Sequence, residues 1–216
     1  MKLKNLLLFA FLIGSLFMNA QTRANISGRS YDLVSVSLKV DGFIITLDSQ
    51  GLISDFHSPD LNGSVEYYDD QYFDEYKYGK LKSIGGVKVD YWDDFNREGA
   101  KYGKLKSIGN SKIDYWDDFI FNTEKFGKVK KIGNLAVDYW TNDMMDNSRI
   151  GKLKSIGDIS IDYGTKDIID DSKFKKLIKF GPISLDYWND KFIDKNKYGQ
   201  LKSINGNSEK ISVFVQ

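Results

Sequence analysis

One aspartate recurs at a fixed place along most of the chain, and carboxylates in a regular pattern could do general acid–base chemistry. The interval between successive copies is constant, and a lysine recurs with the same period in the neighbouring segment. Opposite charges in such columns can pair across adjacent strands. Because an active site is a local exception, a residue repeated in every unit favours a structural role over catalysis. The aspartates are Asp90, Asp114, Asp138, Asp162 and Asp186, and the lysines are Lys80, Lys104, Lys128 and Lys152.

All four tryptophans of the chain occupy a single column of the same period. They share the parity of the charged residues, so they are expected on the outer face of a strand, beside aspartate and lysine. Flat apolar rings next to hydrogen-bonding groups suit stacking on sugars, which makes this column a candidate ligand-binding surface. The alternative is a unit covered on both faces, in which the indoles are core. The column is Trp92, Trp116, Trp140 and Trp188.

Composition disfavours most other chemistry. The chain has no cysteine, which excludes a disulfide, a thiolate metal site and a cysteine nucleophile. Its single histidine, His57, cannot form a polyhistidine centre. Acidic pairs such as Asp69-Asp70, Asp93-Asp94 and Asp117-Asp118 lack a glycine-spaced calcium loop. We therefore expect no catalytic residue, no metal and no cofactor.

The elements that position these columns come from an internal repeat. The segment Gly79–Gly85, which reads Gly-Lys-Leu-Lys-Ser-Ile-Gly, returns at one fixed interval along the chain without insertion. A fixed period of about 20–50 residues indicates an array of units that stack on their neighbours. The later copies begin at Gly103, Gly127, Gly151, Lys175 and Gly199.

Each unit is predicted to contain a β-hairpin. Val87, Val89 and Tyr91 alternate with polar residues or Trp92, and a glycine-containing pair such as Gly85-Gly86 precedes them to supply the positive φ of a tight turn. The preceding Leu-Lys-Ser-Ile segment breaks strict alternation, which predicts a bulge or an early turn there. The rest of the unit is too short for a crossover helix and is predicted to be a loop. That loop carries an apolar pair in most copies: Ile120-Phe121, Met144-Met145, Ile168-Ile169 and Phe192-Ile193.

The predicted fold is all-β: tandem 24-residue hairpins forming an elongated meander or a β-solenoid. Residues 65–204 are the array. Residues 21–64 are interpreted as an N-terminal β cap, with a hairpin at Asp41-Gly42, and residues 205–216 as a C-terminal capping strand, because open sheet edges need cover. No linker rich in proline, glycine or serine divides the chain.

Residues 1–20 are predicted to be a signal peptide, cleaved between Ala20 and Gln21. Lys2 and Lys4 precede an apolar run from Leu6 to Phe17, which is shorter than the roughly 20 residues of a transmembrane anchor. The protein is therefore expected to be exported to the periplasm, cell surface or medium. Loss of these two lysines changes the net charge from +1 to −1. A nearly neutral protein does not attract phosphates, so no nucleic-acid partner is expected.

The repeat resembles short β-hairpin repeats of bacterial exported proteins. Trp92-Asp93 followed by Gly103-Lys104-Leu105 is similar to the YD repeats of Rhs-type proteins and to bacterial variants of MORN repeats. It is more distantly similar to the aromatic hairpins of choline-binding modules. The gap between the aromatic–acid pair and the glycine is longer than in those families. The resemblance implies an all-β hairpin array and carries over no ligand or site residue.

These observations favour a non-enzymatic repeat protein that binds a glycan or a protein along an extended aromatic face, since weak contacts add along an array. The alternative is a structural or self-associating component of the cell envelope. An enzyme, such as a hydrolase, is the third hypothesis, because function depends on a site and the sequence shows none. The sequence leaves the oligomeric state open.

Overall fold

The computed structural model describes residues 22–142, 146–193, 195–206 and 208–216. The predicted signal peptide and the Met144-Met145 pair lie outside these residues. Within them the chain forms strands joined by turns, with 3₁₀ turns at Glu75–Lys77, Asn147–Arg149 and Lys195–Lys197. The strands are β1 (Thr22–Ile26), β2 (Leu33–Val40), β3 (Phe43–Asp48), β4 (Ile53–His57), β5 (Val65–Tyr67), β6 (Leu81–Ile84), β7 (Val87–Tyr91), β8 (Leu105–Ile108), β9 (Ser111–Tyr115), β10 (Val129–Ile132), β11 (Leu135–Tyr139), β12 (Leu153–Ile156), β13 (Ile159–Tyr163), β14 (Leu177–Phe180), β15 (Ile183–Tyr187), β16 (Leu201–Asn205) and β17 (Ile211–Val215).

The repeats form one twelve-stranded antiparallel sheet. Strands β5 to β16 lie side by side in chain order, so that every strand pairs with its neighbours in the sequence. This sheet is an open meander and is not closed into a barrel. The prediction of an all-β hairpin meander is confirmed, and the solenoid alternative is not adopted.

Each unit contributes a tight hairpin and a bulge. Gly85 and Gly86 have φ of 56° and 79° and form the two-residue turn between β6 and β7, where Ile84 pairs with Val87. Only glycine adopts these angles at little cost. On the other side of β7, the register shifts so that Lys106 of β8 is the extra residue. This is the bulge that the broken alternation predicts.

The strands outside the array make a second sheet, in the order β17-β1-β2-β3-β4. The predicted hairpin at Asp41-Gly42 is confirmed, because Val40 pairs with Phe43 and both turn residues have positive φ. The described end strands do not extend the twelve-stranded sheet. Within the described strands β1 pairs with β17 in parallel, and neither pairs with β5 or β16. Two distant apolar segments satisfy each other's backbone groups instead.

The five-stranded sheet packs on one face of the array. The Tyr139 hydroxyl donates to the carbonyls of Val129 at 2.7 Å and Gly51 at 3.2 Å, and so joins the two sheets. A Cβ on Gly51 would lie 2.1 Å from the Tyr139 ring, so this close approach requires glycine. The Asp41 carboxylate accepts from the amide of Ser111 at 3.0 Å, which fixes the β2–β3 turn on the array.

The face beneath this second sheet holds the core. One tyrosine from each of five units is buried there with the neighbouring leucine, isoleucine and valine side chains. Since side chains alternate along a strand, the aspartates and tryptophans next to these tyrosines lie on the opposite face. We call the buried set the tyrosine row: Tyr91, Tyr115, Tyr139, Tyr163 and Tyr187. Their predicted place in the core is confirmed.

Candidate interaction surfaces

Four of the five outward aspartates pair with basic residues of the loops, and Asp90 pairs with Lys106 of the neighbouring strand β8 at 3.3 Å. Lys125 lies 2.6 Å from Asp138, and Lys173 lies 2.8 Å from Asp186. The hydrogen bond from Lys173 is the main reason why the pKa of Asp186 is lowered. The same contact joins Lys101 to Asp114 at 2.9 Å and Arg149 to Asp162 at 3.1 Å.

The predicted partners of these aspartates, Lys80, Lys104, Lys128 and Lys152, lie elsewhere, so that pairing is wrong. Nζ of Lys128 donates to the Gly151 carbonyl at 2.6 Å and lies 5.1 Å from the centre of the buried Tyr139 ring. Nζ of Lys104 makes the same contact with Gly127 at 2.6 Å. Burial lowers the pKa of both lysines. Because each ammonium reaches a carbonyl of the following unit, this column joins successive repeats.

The tryptophan row, Trp92, Trp116, Trp140 and Trp188, is half-buried. Nε1 of Trp92 donates to the Ile113 carbonyl at 3.0 Å, and Nε1 of Trp140 donates to the Ile161 carbonyl at 3.2 Å. These acceptors belong to the next unit. Nε1 of Trp116 is buried without an acceptor among the described residues. Trp92 and Trp140 therefore take part in the stacking of repeats.

Cations lie against every ring of the tryptophan row. The guanidinium carbon of Arg149 is 4.0 Å from the Trp140 ring centre, and Nζ of Lys154 is 5.2 Å away. Such contacts contribute about 0.5–1 kcal/mol at exposed sites. A sugar that stacked on these rings would have to displace them. The corresponding pairs are Lys101 and Lys106 at Trp92, Lys125 and Lys130 at Trp116, and Lys197 and Lys202 at Trp188.

A second periodic set of large apolar residues is fully accessible to solvent. It stands at the tips of the long loops, which join one hairpin to the next and lie along one edge of the array. The exposed fractions run from 79% for Ile120 to 100% for Ile168. We call this set the tip row: Tyr72, Phe73, Ile120, Phe121, Ile168, Ile169, Phe192 and Ile193.

An aspartate folds each of these tips. Oδ1 of Asp118 accepts from the amides of Ile120 and Phe121, both at 3.0 Å. The amide of Phe121 is the main reason why the pKa of Asp118 is lowered. Side-chain acceptors of this kind hold a turn by replacing backbone hydrogen bonds. Asp70 and Asp190 make the same pair of contacts, and Asp167 accepts from Ile169.

The acidic pairs thus have a visible structural role. Asp70 and Asp118 each fold a tip, and Asp94 accepts from the amide of Asn96 at 3.2 Å. Asp117, a first member, lies 2.8 Å from Nζ of Lys101. His57 contacts Asp55 at 3.1 Å on the exposed edge strand β4. Within the described ranges, no three histidine, cysteine or acidic residues are grouped as metal ligands would be. The same part of the chain contains no helix that is long and apolar enough to cross a bilayer.

The sequence predicts a loop that carries these apolar pairs, but it was not used to predict that they form an exposed surface. The signal was present, because two large apolar residues recurred where a loop should be polar. The tryptophan row was found, although its hydrogen bonds and cation contacts depend on groups that lie far from each indole in the sequence.

Comparisons of this chain with protein-family models, with curated proteins and with solved structures find no match. The function of the protein is therefore inferred from its surfaces.

Proposed function

We propose that this protein is an exported, non-enzymatic binding protein that holds a protein partner through the tip row. The observation that carries the proposal is the exposure of an apolar pair on four loops along one edge of the array, each held by its own aspartate. Contiguous exposed apolar surface is unfavourable in water and is typical of interaction sites. Export is supported by the sequence of residues 1–20.

The spacing of the tips favours multivalent binding. Two strands separate neighbouring loops, which is about 10 Å along the sheet, so successive described pairs lie about 10 or 20 Å from one another. Each pair buries little by itself, but contacts linked by a rigid array add because only the first one carries the full cost of association. The partner should therefore offer several apolar recesses at a similar spacing.

The chemistry of the tips favours a protein over a glycan or a membrane. Ile168 and Ile169 have no ring to stack on a sugar. Acidic residues such as Asp117 and Asp118 lie beside the tips and would be repelled by an anionic lipid surface. The matching protein surface has apolar recesses flanked by lysine or arginine.

The test compares three versions of the chain from Gln21 onward. The tip variant replaces Ile120, Phe121, Ile168, Ile169, Phe192 and Ile193 by serine, and the row variant replaces all four tryptophans by phenylalanine. Each is immobilised and exposed to envelope extract, to insoluble cell-wall polysaccharide, and to vesicles of neutral or anionic phospholipid.

We expect the wild type and the row variant to retain the same protein and the tip variant to lose it. The retained protein, once purified, should bind the wild type at least about 100-fold more tightly than the tip variant, since several contacts are lost together. Equal retention by the tip variant contradicts the proposal. Binding of polysaccharide that only the row variant loses would instead support the tryptophan row as the site.

A further inference from the structure

Both end strands of the twelve-stranded sheet carry core-type residues that are exposed. Among the described strands, β5 pairs only with β6, and β16 pairs only with β15. Val65 is 46% exposed, Tyr67 60% and Ile204 41%. Unpaired strand edges that expose apolar side chains are templates for pairing with another chain. The residues at the same places in neighbouring units are Val89 at 1%, Tyr91 at 5% and Phe180 at 0%.

The two edges are complementary in kind. Strands of the array alternate between a Val-Asp-Tyr type, to which β5 belongs, and a Leu-Lys-Ser-Ile type, to which β16 belongs. Inside the array each Leu-Lys-Ser-Ile strand pairs with the following Val-Asp-Tyr strand, as β6 does with β7 and β14 with β15. Because the array begins with one type and ends with the other, the missing neighbour of β16 has the sequence character of β5.

We propose that copies of this protein associate head to tail, with β5 of one copy paired to β16 of the next. The joint repeats the pairing that the two strands of each hairpin already make inside the array, so the strand type expected at each edge is known. Two different surfaces meet at this joint, so the association is heterologous. It gives an open chain of copies unless the rotation from one copy to the next closes the chain into a ring. The product is a continuous sheet.

Side chains at the β16 end support this pairing. In two of the three interior units the indole reaches a carbonyl of the next unit: Nε1 of Trp92 donates to Ile113 and Nε1 of Trp140 to Ile161, whereas Nε1 of Trp116 has no acceptor among the described residues. Trp188 holds the same column in the last unit, and among the described strands no further unit follows β16 to supply a carbonyl. The equivalent carbonyl would be that of Val65 in a second copy.

A second column of side chains also supports the pairing of β16 with β5 of another copy. Nζ of Lys176 donates to the Gly199 carbonyl in the following unit. Gln200 occupies the next place in that column, and its amide donates within its own loop to the Asn196 carbonyl at 2.8 Å. The equivalent inter-unit acceptor would be the Gly79 carbonyl of a second copy. Both columns therefore end on donors whose inter-unit acceptors lie at the β5 end.

The experiment measures mass against concentration by sedimentation and light scattering for the chain from Gln21 onward. Tyr67→Lys places a charge on the β5 edge, and Ile204→Lys places one on the β16 edge. Both residues are exposed, so circular dichroism should show an unchanged fold; Val65→Lys is a second variant for the β5 edge. We expect the wild type to form a growing series of oligomers and each variant to lose self-association at least about tenfold.

Mixing distinguishes this joint from every other. Tyr67→Lys keeps a free β16 and Ile204→Lys keeps a free β5, so an equal mixture should form dimers and stop. Dimers of either variant alone would mean that like edges pair, which overturns the proposal, and so would a monomeric wild type. Ile168→Ser with Ile169→Ser leaves both edges unchanged and should assemble as the wild type does. Loss of assembly in that control would place the contact on the tip row and also overturn the head-to-tail joint.

Discussion

The tryptophan row and the tip row follow the same repeat and both consist of large apolar side chains, yet their surroundings are opposite. Trp92 and Trp140 donate hydrogen bonds to the next unit, and all four indoles have cations against their rings. The tips touch little, and Ile168 is fully exposed. A repeated contact inside the fold is explained by the packing of repeats. The packing of repeats does not explain a repeated exposure, because large apolar side chains that stay in water add no stability to the fold.

The tyrosine row, which is the most buried of the periodic sets, extends this comparison to pH. Burial, with smaller contributions from Tyr68 and Asp90, raises the pKa of Tyr91 to about 12. Burial likewise raises the pKa of Tyr115, Tyr139, Tyr163 and Tyr187. Phenols in the unfolded chain ionise near pH 10. Stability from the neutral rings is therefore complete below about pH 10 and is lost as the pH rises through 12.

The largest expected effect is thus cooperative alkaline unfolding. Burial also lowers the pKa of Lys80, Lys104, Lys128, Lys152 and Lys176, which acts in the opposite direction. That contribution stops changing above about pH 10.5, where lysines of the unfolded chain are neutral as well, so the phenols decide the stability at higher pH. Tyrosinate absorbance and circular dichroism, followed together, should show most tyrosines ionising at the same pH at which strand signal is lost. The tip variant should unfold at the same pH as the wild type. Full ionisation of the tyrosines with the strand signal intact would show that the row is not buried.

A smaller effect is expected from one member of the tryptophan row. Trp140→Ala removes a half-buried ring, its hydrogen bond to Ile161 and its contact with Arg149. We expect a loss of about 2–4 kcal/mol in the free energy of unfolding, measured with urea. Trp140→Phe keeps most of the ring and should cost about 1 kcal/mol, mainly for the lost hydrogen bond. A cost below about 0.5 kcal/mol for the alanine variant would show that the tryptophan row contributes no more to stability than the tip row is expected to.

The smallest effect is expected at the tips. Ile168→Ser with Ile169→Ser changes two side chains that are 100% and 87% exposed. The free energy of unfolding should change by less than about 0.5 kcal/mol in the same urea experiment. The double variant should also elute earlier from a hydrophobic-interaction column, because it presents less apolar surface. A loss of about 2 kcal/mol or more would show that the tips are part of the fold.

The array was predictable because its information is local. Alternation around Val89 and Tyr91, the glycine turn at 85–86 and the broken pattern at Leu81 give the strands, the hairpin and the bulge without distant contacts. The hairpin at Asp41-Gly42 and the strand β17 are local in the same way.

The arrangement of the ends and the ion pairs was not predictable by the same means. Pairing of β1 with β17 joins segments from opposite ends of the sequence. The residue pattern of neither strand predicts which strand it pairs with. Lys101, rather than Lys104, reaches Asp114 because the loop folds back over the outer face, whereas Lys104 turns inward to a carbonyl. Column spacing alone cannot distinguish these two directions.

The parallel pairing of β1 and β17 has a mechanical consequence. Thr22 lies opposite Ile211 and Ile26 lies opposite Val215, so the chain enters β1 at one end of the pair and leaves β17 at the other. Tension applied before β1 and after β17 would load this pair in shear, with its hydrogen bonds stretched together rather than opened one by one. The twelve-stranded meander would carry no load until the β1–β17 pair separated. A tether built in this way would lengthen abruptly, unit after unit, only beyond a threshold load.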